Sequence, residues 1–440
     1  MRESYLVLIP MALYLLATAF LGCIVRSGRS WNEFFLAGRS LGTLQLTGSL
    51  VATIVGASST IGLAGLGYSR GLPGAWWLLS GAVGLLILSK IAHLVRGTGA
   101  RTLPEMIGIF YGSSAKKAAS SLILIAWLGV IAAQIVAAGR IMGALFGHDW
   151  AWMSATAIVL IAYTAHGGQR AVVRTDLLQL CVMLAGLILM LAICLRSAPE
   201  ALNSLQFPTS GQMSPQDVVS MVVVVGSMYL IGPDIYSRVL SARSPESAMV
   251  SLRLSAIIII PLAFAITSIG IFARHLLPEI RPEDALILLM TDVIPHWAVG
   301  VIAAAFLAAV MSSADTSLLT ASSILTLDLG LGSGVRARGL AALFVGSCSL
   351  LLAMSRPGII STLMLSYTVF TGGFLVPVLA GFHRERLGLT PNSATAGILC
   401  GGITSLMLGG VYPLSGICAS AFAMAIVSAV EKRRGCPDRQ

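Results

Sequence analysis

Five oxygen-bearing side chains stand close together inside a long apolar segment of this 440-residue chain: Ser312, Ser313, Asp315, Thr316 and Ser317. An ionisable side chain within a membrane span is energetically costly, and such residues usually serve a function. All the candidate ligands are oxygens, which favours a hard cation such as an alkali or alkaline-earth ion. The cluster therefore predicts one half of a cation site. The alternative is that the hydroxyls only bond within their own helix or to a neighbouring helix.

The composition places this cluster in a polytopic membrane protein. Hydrophobic residues make up 56% of the chain and charged residues 10%, whereas soluble proteins carry about 25% charged residues. Apolar segments long enough to span a bilayer predict an all-α membrane protein with about 13 transmembrane helices, at 5–25, 43–69, 74–94, 118–146, 150–165, 173–195, 217–237, 254–273, 296–326, 340–354, 359–382, 394–410 and 413–430. We expect the first of these to be a retained helix and not a cleaved signal peptide.

The net charge of +10 follows the predicted sides of the membrane. With the N-terminus outside, 20 of the 28 basic residues fall in inward loops or the tail, and six fall on the outward side. Because Lys and Arg accumulate on the cytoplasmic side, we expect the N-terminus outside and the C-terminus inside. The charge thus reports topology and does not indicate a nucleic-acid partner.

Signatures of soluble enzymes, zinc sites and disulfide frameworks do not occur in the sequence. The seven cysteines are scattered, without a C-x-x-C pair or a metal-like pairing with the six histidines. The motifs H-E-x-x-H, G-x-S-x-G and G-x-x-x-x-G-K-[ST] are missing as well. We therefore expect neither an enzyme nor an organic cofactor.

Ten central spans, within 43–382, divide into two groups of five. Because each group has an odd number of helices, the second enters the membrane from the opposite side, which is the condition for the inverted repeat of many secondary transporters. We expect four regions: an extra N-terminal helix and loop at 1–42, a first repeat at 43–195, a second repeat with its preceding outer loop at 196–382, and two further helices with a basic tail at 383–440.

Small, helix-poor residues interrupt the first helix of each group. In the first group the interruption is Gly-Ala-Ser-Ser-Thr at 56–60; in the second it is Gly226-Ser227, with Gly232-Pro233 below it. Such residues weaken a helix, and interruptions in corresponding positions indicate a binding site near the bilayer midplane. Unwound backbone there can offer carbonyls to a cation. Close helix packing through small residues is the alternative.

Further polar residues fall inside or at the ends of predicted spans. Asp176 either contributes to a site or pairs with Arg170 or Arg174 near the interface. Gln134 lies six residues before Arg140 in the same span. Arg140 either extends outward to the interface or meets an anionic group of a bound solute.

Six segments, in order, resemble the sodium:solute symporter family, which includes proline, pantothenate, sialic acid and sugar symporters. The resemblance covers nearly the whole chain. It rests on N-E-F-F-L-A-G-R-S-L-G at 32–42, G-A-S-S-T-I-G at 56–62, T-L-P-E-M-I at 102–107, G-G-Q-R-A-V-V-R-T-D-L-L-Q at 167–179, S-R-V-L-S-A-R-S-P-E-S-A at 237–248 and A-A-V-M-S-S-A-D-T-S-L-L-T-A-S-S at 308–323.

The resemblance implies a five-plus-five inverted-repeat fold, here with one extra helix before the repeats and two after them. It places a shared sodium site between the first and eighth core helices. Matched position by position, the implied ligands are the backbone carbonyls of Ala57, Thr60 and Ala309 and the hydroxyls of Ser312 and Ser313.

A second cation site, described in some members of the family, matches Asp176, Ser312, Asp315 and Thr316 in this sequence. Asp315 stands where such a site has a serine. The additional carboxylate would either strengthen a cation site or hold a proton.

The implied function is sodium-coupled secondary active symport, which imports a small organic solute by alternating access. Positions on the first core helix that vary with substrate in the family are mostly apolar here, which favours an organic acid or amino acid over a sugar. We expect the solute to contact Ser59, Gln134, Gly226, Ser227 and Tyr229. A proton-coupled transporter of the same fold and a solute sensor that does not transport are the alternatives.

The resemblance also implies a multi-pass protein of the bacterial cytoplasmic (inner) membrane. The expected partners are the solute, sodium as the coupling ion and the lipid bilayer. We expect the chain to act as a monomer.

Overall fold

The computed structural model describes residues 2–24, 30–203, 205–332, 334–355 and 358–433. Some basic residues that oriented the chain, including Arg26, Arg29 and the tail beyond 433, lie outside these ranges. Within them the chain is helical, and its only β-type pairings are isolated bridges. The all-α prediction is confirmed.

Two sets of helices make up the described chain. The first set consists of α1 Arg2–Ile24, α2 Trp31–Leu36, α3 Thr43–Ile54, α4 Leu63–Arg70, α5 Trp76–Gly97, α6 Leu103–Tyr111, α7 Ser113–Phe146 and α8 Asp149–Ser197. The second consists of α9 Pro215–Ile231, α10 Pro233–Ser241, α11 Pro245–Leu276, α12 Ala285–Leu288, α13 His296–Ser323, α14 Val335–Ser355, α15 Ile359–Gly381, α16 Arg384–Leu387, α17 Pro391–Leu408 and α18 Ser415–Arg433.

The number of membrane spans is close to the prediction of about 13. Among the described residues, ten helices are long and apolar enough to cross a membrane, or eleven when the bent pair α3 and α4 is counted as one span. α8 has 49 residues, and a helix of that length, about 73 Å, exceeds the hydrocarbon core of about 30 Å. It therefore comprises two spans, which meet at the kink where Gly168 has a φ of 58°. The described residues therefore contain twelve spans on these grounds.

The predicted interruption of the first helix is confirmed. α3 ends at Ile54, Val55 has the non-helical angles φ −89° and ψ 65°, and the axis turns by 62° before the chain continues into α4. A π-helical turn over Ser58–Gly62 follows the bend. The helix-poor run of Gly, Ser and Thr accounts for a break at this place.

The second interruption lies at Gly232-Pro233 and not at Gly226-Ser227, the two places that the sequence indicated for this helix. α9 continues as a regular helix through Gly226-Ser227, and the break is at Gly232, whose φ is −58° and ψ 130°. Pro233 lacks a backbone N–H and disfavours helical angles in the residue before it, which ends α9 here. Gly226 instead permits close packing, because a Cβ on Gly84 of α5 would overlap the Gly226 carbonyl. The prediction of a break at Gly226-Ser227 was wrong.

α13 lies at the centre of the bundle. In its most apolar window 89% of residues are buried, compared with 22% for α1. It packs against α1, α3, α7, α8 and α14. The oxygen-rich cluster that the sequence indicated is thus surrounded by protein and not by lipid.

Candidate ion and solute sites

Two adjacent serines of α13 connect this helix to the last turn of α3. The Ser312 hydroxyl donates to the Ala52 carbonyl at 2.7 Å and lies 3.0 Å from the Ala309 carbonyl. The Ser313 hydroxyl donates to the Thr53 carbonyl at 2.6 Å. Both serines are buried. The structure therefore gathers neutral hydroxyl and carbonyl oxygens where α3 ends, which is the ligand type that a hard cation prefers.

The interruption between α3 and α4 lies directly against α13 and α7. A Cβ on Gly56 would overlap the Ser313 side chain and would lie 3.2 Å from Gln134 Oε1. The same Gln134 oxygen accepts a hydrogen bond from the Ala57 N–H at 2.9 Å. Gln134 thus satisfies a backbone donor at the start of the new helical segment, where helices leave N–H groups unpaired.

Ala57 and Thr60 lie in the segment that follows the interruption. The Ala57 carbonyl accepts from the Gly62 N–H at 3.0 Å, and the Thr60 hydroxyl donates to the Gly56 carbonyl at 2.8 Å. A carbonyl oxygen has two lone pairs, so one on Ala57 remains available to a cation. The α13 serine hydroxyls point to α3 carbonyls about one turn before Ala57. Among the predicted ligands, Ser312 directly contacts the Ala309 carbonyl.

Arg238 of α10 lies among the residues predicted for the second cation site. Its Nη2 donates to the Thr316 hydroxyl at 2.5 Å and to Asp176 Oδ2 at 3.3 Å. Its Nε donates to the Ser49 hydroxyl at 3.1 Å, and that hydroxyl donates to Asp176 Oδ2. The Arg238 and Asp176 side chains are 1% and 0% exposed. One guanidinium therefore joins α10 to α3, α8 and α13.

A second carboxylate, Asp315 of α13, lies next to Thr316, which accepts a hydrogen bond from Arg238. Asp315 Oδ1 accepts from the Thr316 hydroxyl at 3.4 Å. Within the described part of the chain, Asp315 Oδ2 and Asp176 Oδ1 are buried without a hydrogen-bond partner. Buried charge without a partner is costly, so the cluster has a place for one more cation or proton.

The N-terminal helix reaches the same region through Tyr14. Gln179 of α8 donates to the Tyr14 hydroxyl oxygen at 3.2 Å, and that hydroxyl contacts the Met311 sulfur of α13 at 3.6 Å. All three residues are buried. Tyr14 therefore bridges the two helices that carry Asp176 and Asp315.

A cavity lies between the two interruptions. In this conformation a water-sized sphere can occupy only about 40 Å³ of it. Its polar lining includes Ser58, Gln134, Tyr229, Asp234, Ser313 and Tyr367. Ser313 belongs both to this lining and to the oxygen group at the end of α3, so the cavity and the candidate ion site share a wall.

Two of the five residues predicted to contact solute line the cavity, Gln134 and Tyr229. The Ser59 hydroxyl instead donates to the Ile54 carbonyl at 2.8 Å across the interruption. Gly226-Ser227 lies in α9 and does not line the cavity, for the packing reason given above.

Arg140 lies away from the cavity, close to acidic residues between α11 and α12. Its Nη1 is 3.4 Å from Glu283 and 3.6 Å from Asp284. The sequence allowed Arg140 either to extend to the membrane interface or to meet an anionic group of the solute. Its position away from the cavity agrees with the first alternative.

Sequence reasoning missed two charged residues at these sites, Asp234 and Arg238. Arg238 stands in the quoted S-R-V-L-S-A-R segment, and Asp234 directly follows Gly232-Pro233. Charged residues inside a span are functional candidates, and that signal would have identified both. The sequence also left the partner of Asp176 undecided. In the structure Asp176 pairs with Arg238 and not with its neighbours Arg170 or Arg174.

A helical bundle with two interrupted helices, oxygen ligands at one interruption and a cavity between them is the architecture of a secondary transporter. Residues 34–338 match the sodium:solute symporter family. The chain belongs to this family, and its function is the sodium-coupled import of a solute across the bacterial inner membrane. It is a transporter and not an enzyme.

Individual relatives agree with this assignment. The chain is 28% identical to the sodium/pantothenate symporter of Escherichia coli (strain K12), over 91% of this chain and 90% of that protein. It is also 28% identical to the sodium/proline symporter of the same strain, over 75% and 71% of the two chains.

Solved structures with the same fold confirm the five-plus-five architecture. A Na⁺-coupled sialic acid symporter aligns with a TM-score of 0.80 at 16% identity, covering 98% of each chain. A nucleobase-cation-symport-1 family transporter aligns with a TM-score of 0.63 at 12% identity, over 93% and 94% of the two chains. At these identities the likeness concerns the fold alone.

Proposed function

We propose that the coupling sodium binds where the interruption after α3 meets α13, between Ala57, Thr60, Ala309, Ser312 and Ser313. The observation that carries this proposal is the pair of serine hydroxyls already directed at freed α3 carbonyls. On sodium binding the hydroxyl protons would turn away and leave oxygen lone pairs for the ion.

Sodium at this position would hold the first core helix against α13 and stabilise the outward-open state that accepts solute. Release of sodium to the inside would then loosen that contact and allow the solute to leave. Each sodium ion that moves down a potential of about 100 mV contributes about 2.3 kcal/mol, or roughly 50-fold accumulation. Coupling between the two sites is reciprocal, so the solute must tighten sodium binding by the same factor.

The second site would accept one further monovalent cation beside Asp176, Asp315 and Thr316. Two unpartnered oxygens support this, because Asp176 Oδ1 and Asp315 Oδ2 are buried without a hydrogen-bond partner, while Arg238 contacts the other oxygen of Asp176. A proton on Asp315 would neutralise this buried carboxylate equally well. Proton coupling is therefore the alternative for this site. Its two unpartnered carboxylate oxygens are the atoms that either cation would contact.

The solute would occupy the cavity beside Gln134 and Tyr229. Relatives named for pantothenate and proline support a small organic acid or amino acid as the solute class. The cavity shares Ser313 with the ion site, which provides a direct physical route for coupling. A solute sensor would bind at the same place without releasing its ligand inward.

Uptake by proteoliposomes tests this function. Vesicles that contain the purified chain should accumulate labelled solute when sodium is higher outside, and potassium in place of sodium should abolish accumulation. L-proline and pantothenate are the first solutes to try. Sodium-dependent binding without accumulation would indicate a sensor, and accumulation driven by a pH gradient alone would indicate proton coupling.

A further inference from the structure

Another pocket lies away from the ion and solute sites, where three helices end. Its lining comes from the last turns of α5 and α6, from the end of α15 and from the short helix α16 that follows. Because α5 and α15 are both apolar enough to span the membrane, their ends place the pocket at the edge of the hydrocarbon core. A water-sized sphere can occupy about 490 Å³ of it, compared with about 40 Å³ of the solute cavity. The pocket is therefore open in this conformation.

One side of this pocket is apolar. It is formed by Leu94 of α5, by Ile109 and Phe110 of α6 and by Phe382, directly after α15. Leu94 and Ile109 are 41% and 52% exposed, so both side chains are accessible from outside the protein. At the end of a membrane span such surface faces the acyl chains of the bilayer. This side of the pocket therefore suits hydrocarbon.

The other side of the pocket is basic. Of the charged residues that the structure describes in this lining, two are arginines, Arg384 and Arg386, and one is Glu385. His383 lies beside them and adds a further positive charge when it is protonated. The excess of positive charge favours an anion, and arginine binds phosphate oxygens with two parallel hydrogen bonds.

Contacts between α6 and the end of α15 hold the two sides of the pocket in place. The Tyr111 hydroxyl donates to the Pro377 carbonyl at 3.1 Å. Arg384 Nη1 donates to the Phe110 carbonyl, and its Nε donates to the Leu389 carbonyl at 3.4 Å. A guanidinium has five N–H donors, so Arg384 keeps donors for a further acceptor. The pocket is thus formed without the help of a ligand.

We propose that this pocket binds an anionic phospholipid of the membrane, with its phosphate at Arg384 and Arg386 and its acyl chains along Leu94 and Ile109. A small soluble anion would use the basic side and leave the apolar side unfilled. A lipid with a zwitterionic headgroup would use the apolar side without matching the excess of positive charge. Basic pockets between membrane helices on the cytoplasmic side bind anionic headgroups, and the charge distribution predicts that α16 lies on that side.

The test measures lipid binding to the full-length protein, purified in detergent and stripped of lipid. Native mass spectrometry gives the dissociation constant of the first bound molecule of dioleoylphosphatidylglycerol or dioleoylphosphatidylcholine, which share their acyl chains and differ in headgroup charge. Glycerol 3-phosphate, which has the phosphate without the chains, is the competitor. Arg386→Gln removes a positive charge from the pocket and Glu385→Gln removes the negative one. Arg336→Gln of α14 is the matched control, because it is also exposed and on the same predicted side, outside the pocket.

We expect the wild type to bind the phosphatidylglycerol at least about fivefold more tightly than the phosphatidylcholine, which is the contribution of one basic side chain near an anionic headgroup. Arg386→Gln should weaken phosphatidylglycerol binding about fivefold, and Glu385→Gln should strengthen it by about the same factor. Binding of phosphatidylcholine should change little in either variant. Both side chains are exposed, so the melting temperatures without lipid should stay at the wild-type value. Arg336→Gln should bind both lipids as the wild type does.

Three outcomes would overturn the proposal. Equal affinity of the wild type for the two lipids would show that the headgroup charge is not recognised. Equal loss of phosphatidylglycerol binding in Arg386→Gln and Arg336→Gln would show a general attraction to the basic side of the protein and no specific pocket. Displacement of the phosphatidylglycerol by an equal concentration of glycerol 3-phosphate would show that the pocket takes a soluble phosphate. These measurements need neither sodium nor solute, so their failure would leave the proposed function untouched.

Discussion

The two interrupted helices differ in the chemistry that they expose. At the first interruption the axis bends by 62° and the groups that meet are neutral, carbonyls of α3 and hydroxyls of α13. At the second, Gly232-Pro233 is followed by two opposite charges one turn apart, Asp234 and Arg238. Corresponding positions of the two repeats therefore carry different chemistry. The first suits a metal ion held by dipoles, and the second suits charged partners.

The difference follows from how each helix is interrupted. The Gly-Ser-Thr run near Gly56 leaves a short unwound stretch with backbone oxygens available. Proline at 233 starts a new helix at once, so α10 presents ordered side chains and little free backbone. Substitutions that alter one interruption should therefore leave the other largely intact.

The largest effect is expected at the second interruption, from loss of the buried Arg238–Asp176 pair. Arg238→Met should lower the free energy of unfolding by about 3–5 kcal/mol, because it leaves Asp176 buried without its counter-charge. Melting of the detergent-purified protein measures this. The double variant Arg238→Met/Asp176→Leu should recover most of the loss. A single variant as stable as the wild type would show that the pair is not a structural requirement.

Sodium binding at the first interruption should respond next most strongly. Ser312→Ala and Ser313→Ala each remove one proposed ligand with little change in packing, and each should weaken sodium binding by about 10- to 100-fold, the range of a hydrogen bond to a charged group. Sodium titration of solute uptake measures this effect. Without sodium, each variant should lose only about 1–3 kcal/mol of stability, the cost of leaving the Ala52 or Thr53 carbonyl without its hydroxyl donor. Wild-type sodium dependence in both variants would place the ion elsewhere.

The close contact between Gly56 and α13 tests whether the first interruption must lie directly against α13. A Cβ at this position would overlap the Ser313 side chain, so Gly56→Ala should cost about 1–3 kcal/mol of overpacking and reduce sodium-dependent uptake. Gly97→Ala is the matched control, because no neighbouring atom lies within 4 Å of a Cβ there. Equal uptake by the two variants would show that the close approach of Gly56 is not required.

Asp315→Asn should have the smallest effect, on the number of coupled ions. Removing one of the two carboxylates should lower the Hill coefficient for sodium or change the pH dependence of uptake. The affinity of the Ser312–Ser313 site should change little. Asp315→Glu is the control that keeps the charge. An unchanged Hill coefficient together with an unchanged pH profile would reduce Asp315 to a structural role.

Features that depend on the residues of one short segment were predicted correctly. The apolar spans and the interruption at 56–60 follow from composition and helix propensity, whereas the proximity of α13 to the first core helix was implied by the family resemblance. The prediction of a break at Gly226-Ser227 was wrong because small residues occur where helices pack closely as well as where they are interrupted. The decisive feature was Pro233, whose covalent structure ends α9.

Pairings between distant residues could not be derived in the same way. Asp176 and Arg238 are 62 positions apart, and Trp127 and Asp234 are 107 apart. Nearby Arg170 and Arg174 offered Asp176 equally reasonable partners in the sequence. Only the packing of α8, α10 and α13 decides which cation a carboxylate meets.

Tyr14 has a consequence for the order in which the protein assembles. Its contacts join α1 to Gln179 and to Met311, which follows Tyr14 by 297 positions. Helices inserted into a bilayer first exist as separate spans and associate afterwards. The Tyr14 side chain can therefore reach its buried position only after α13 has been synthesised. Until then α1 remains a separate span in the lipid. This early helix reaches its final place only late in biogenesis, when the helices beside both carboxylates are already present.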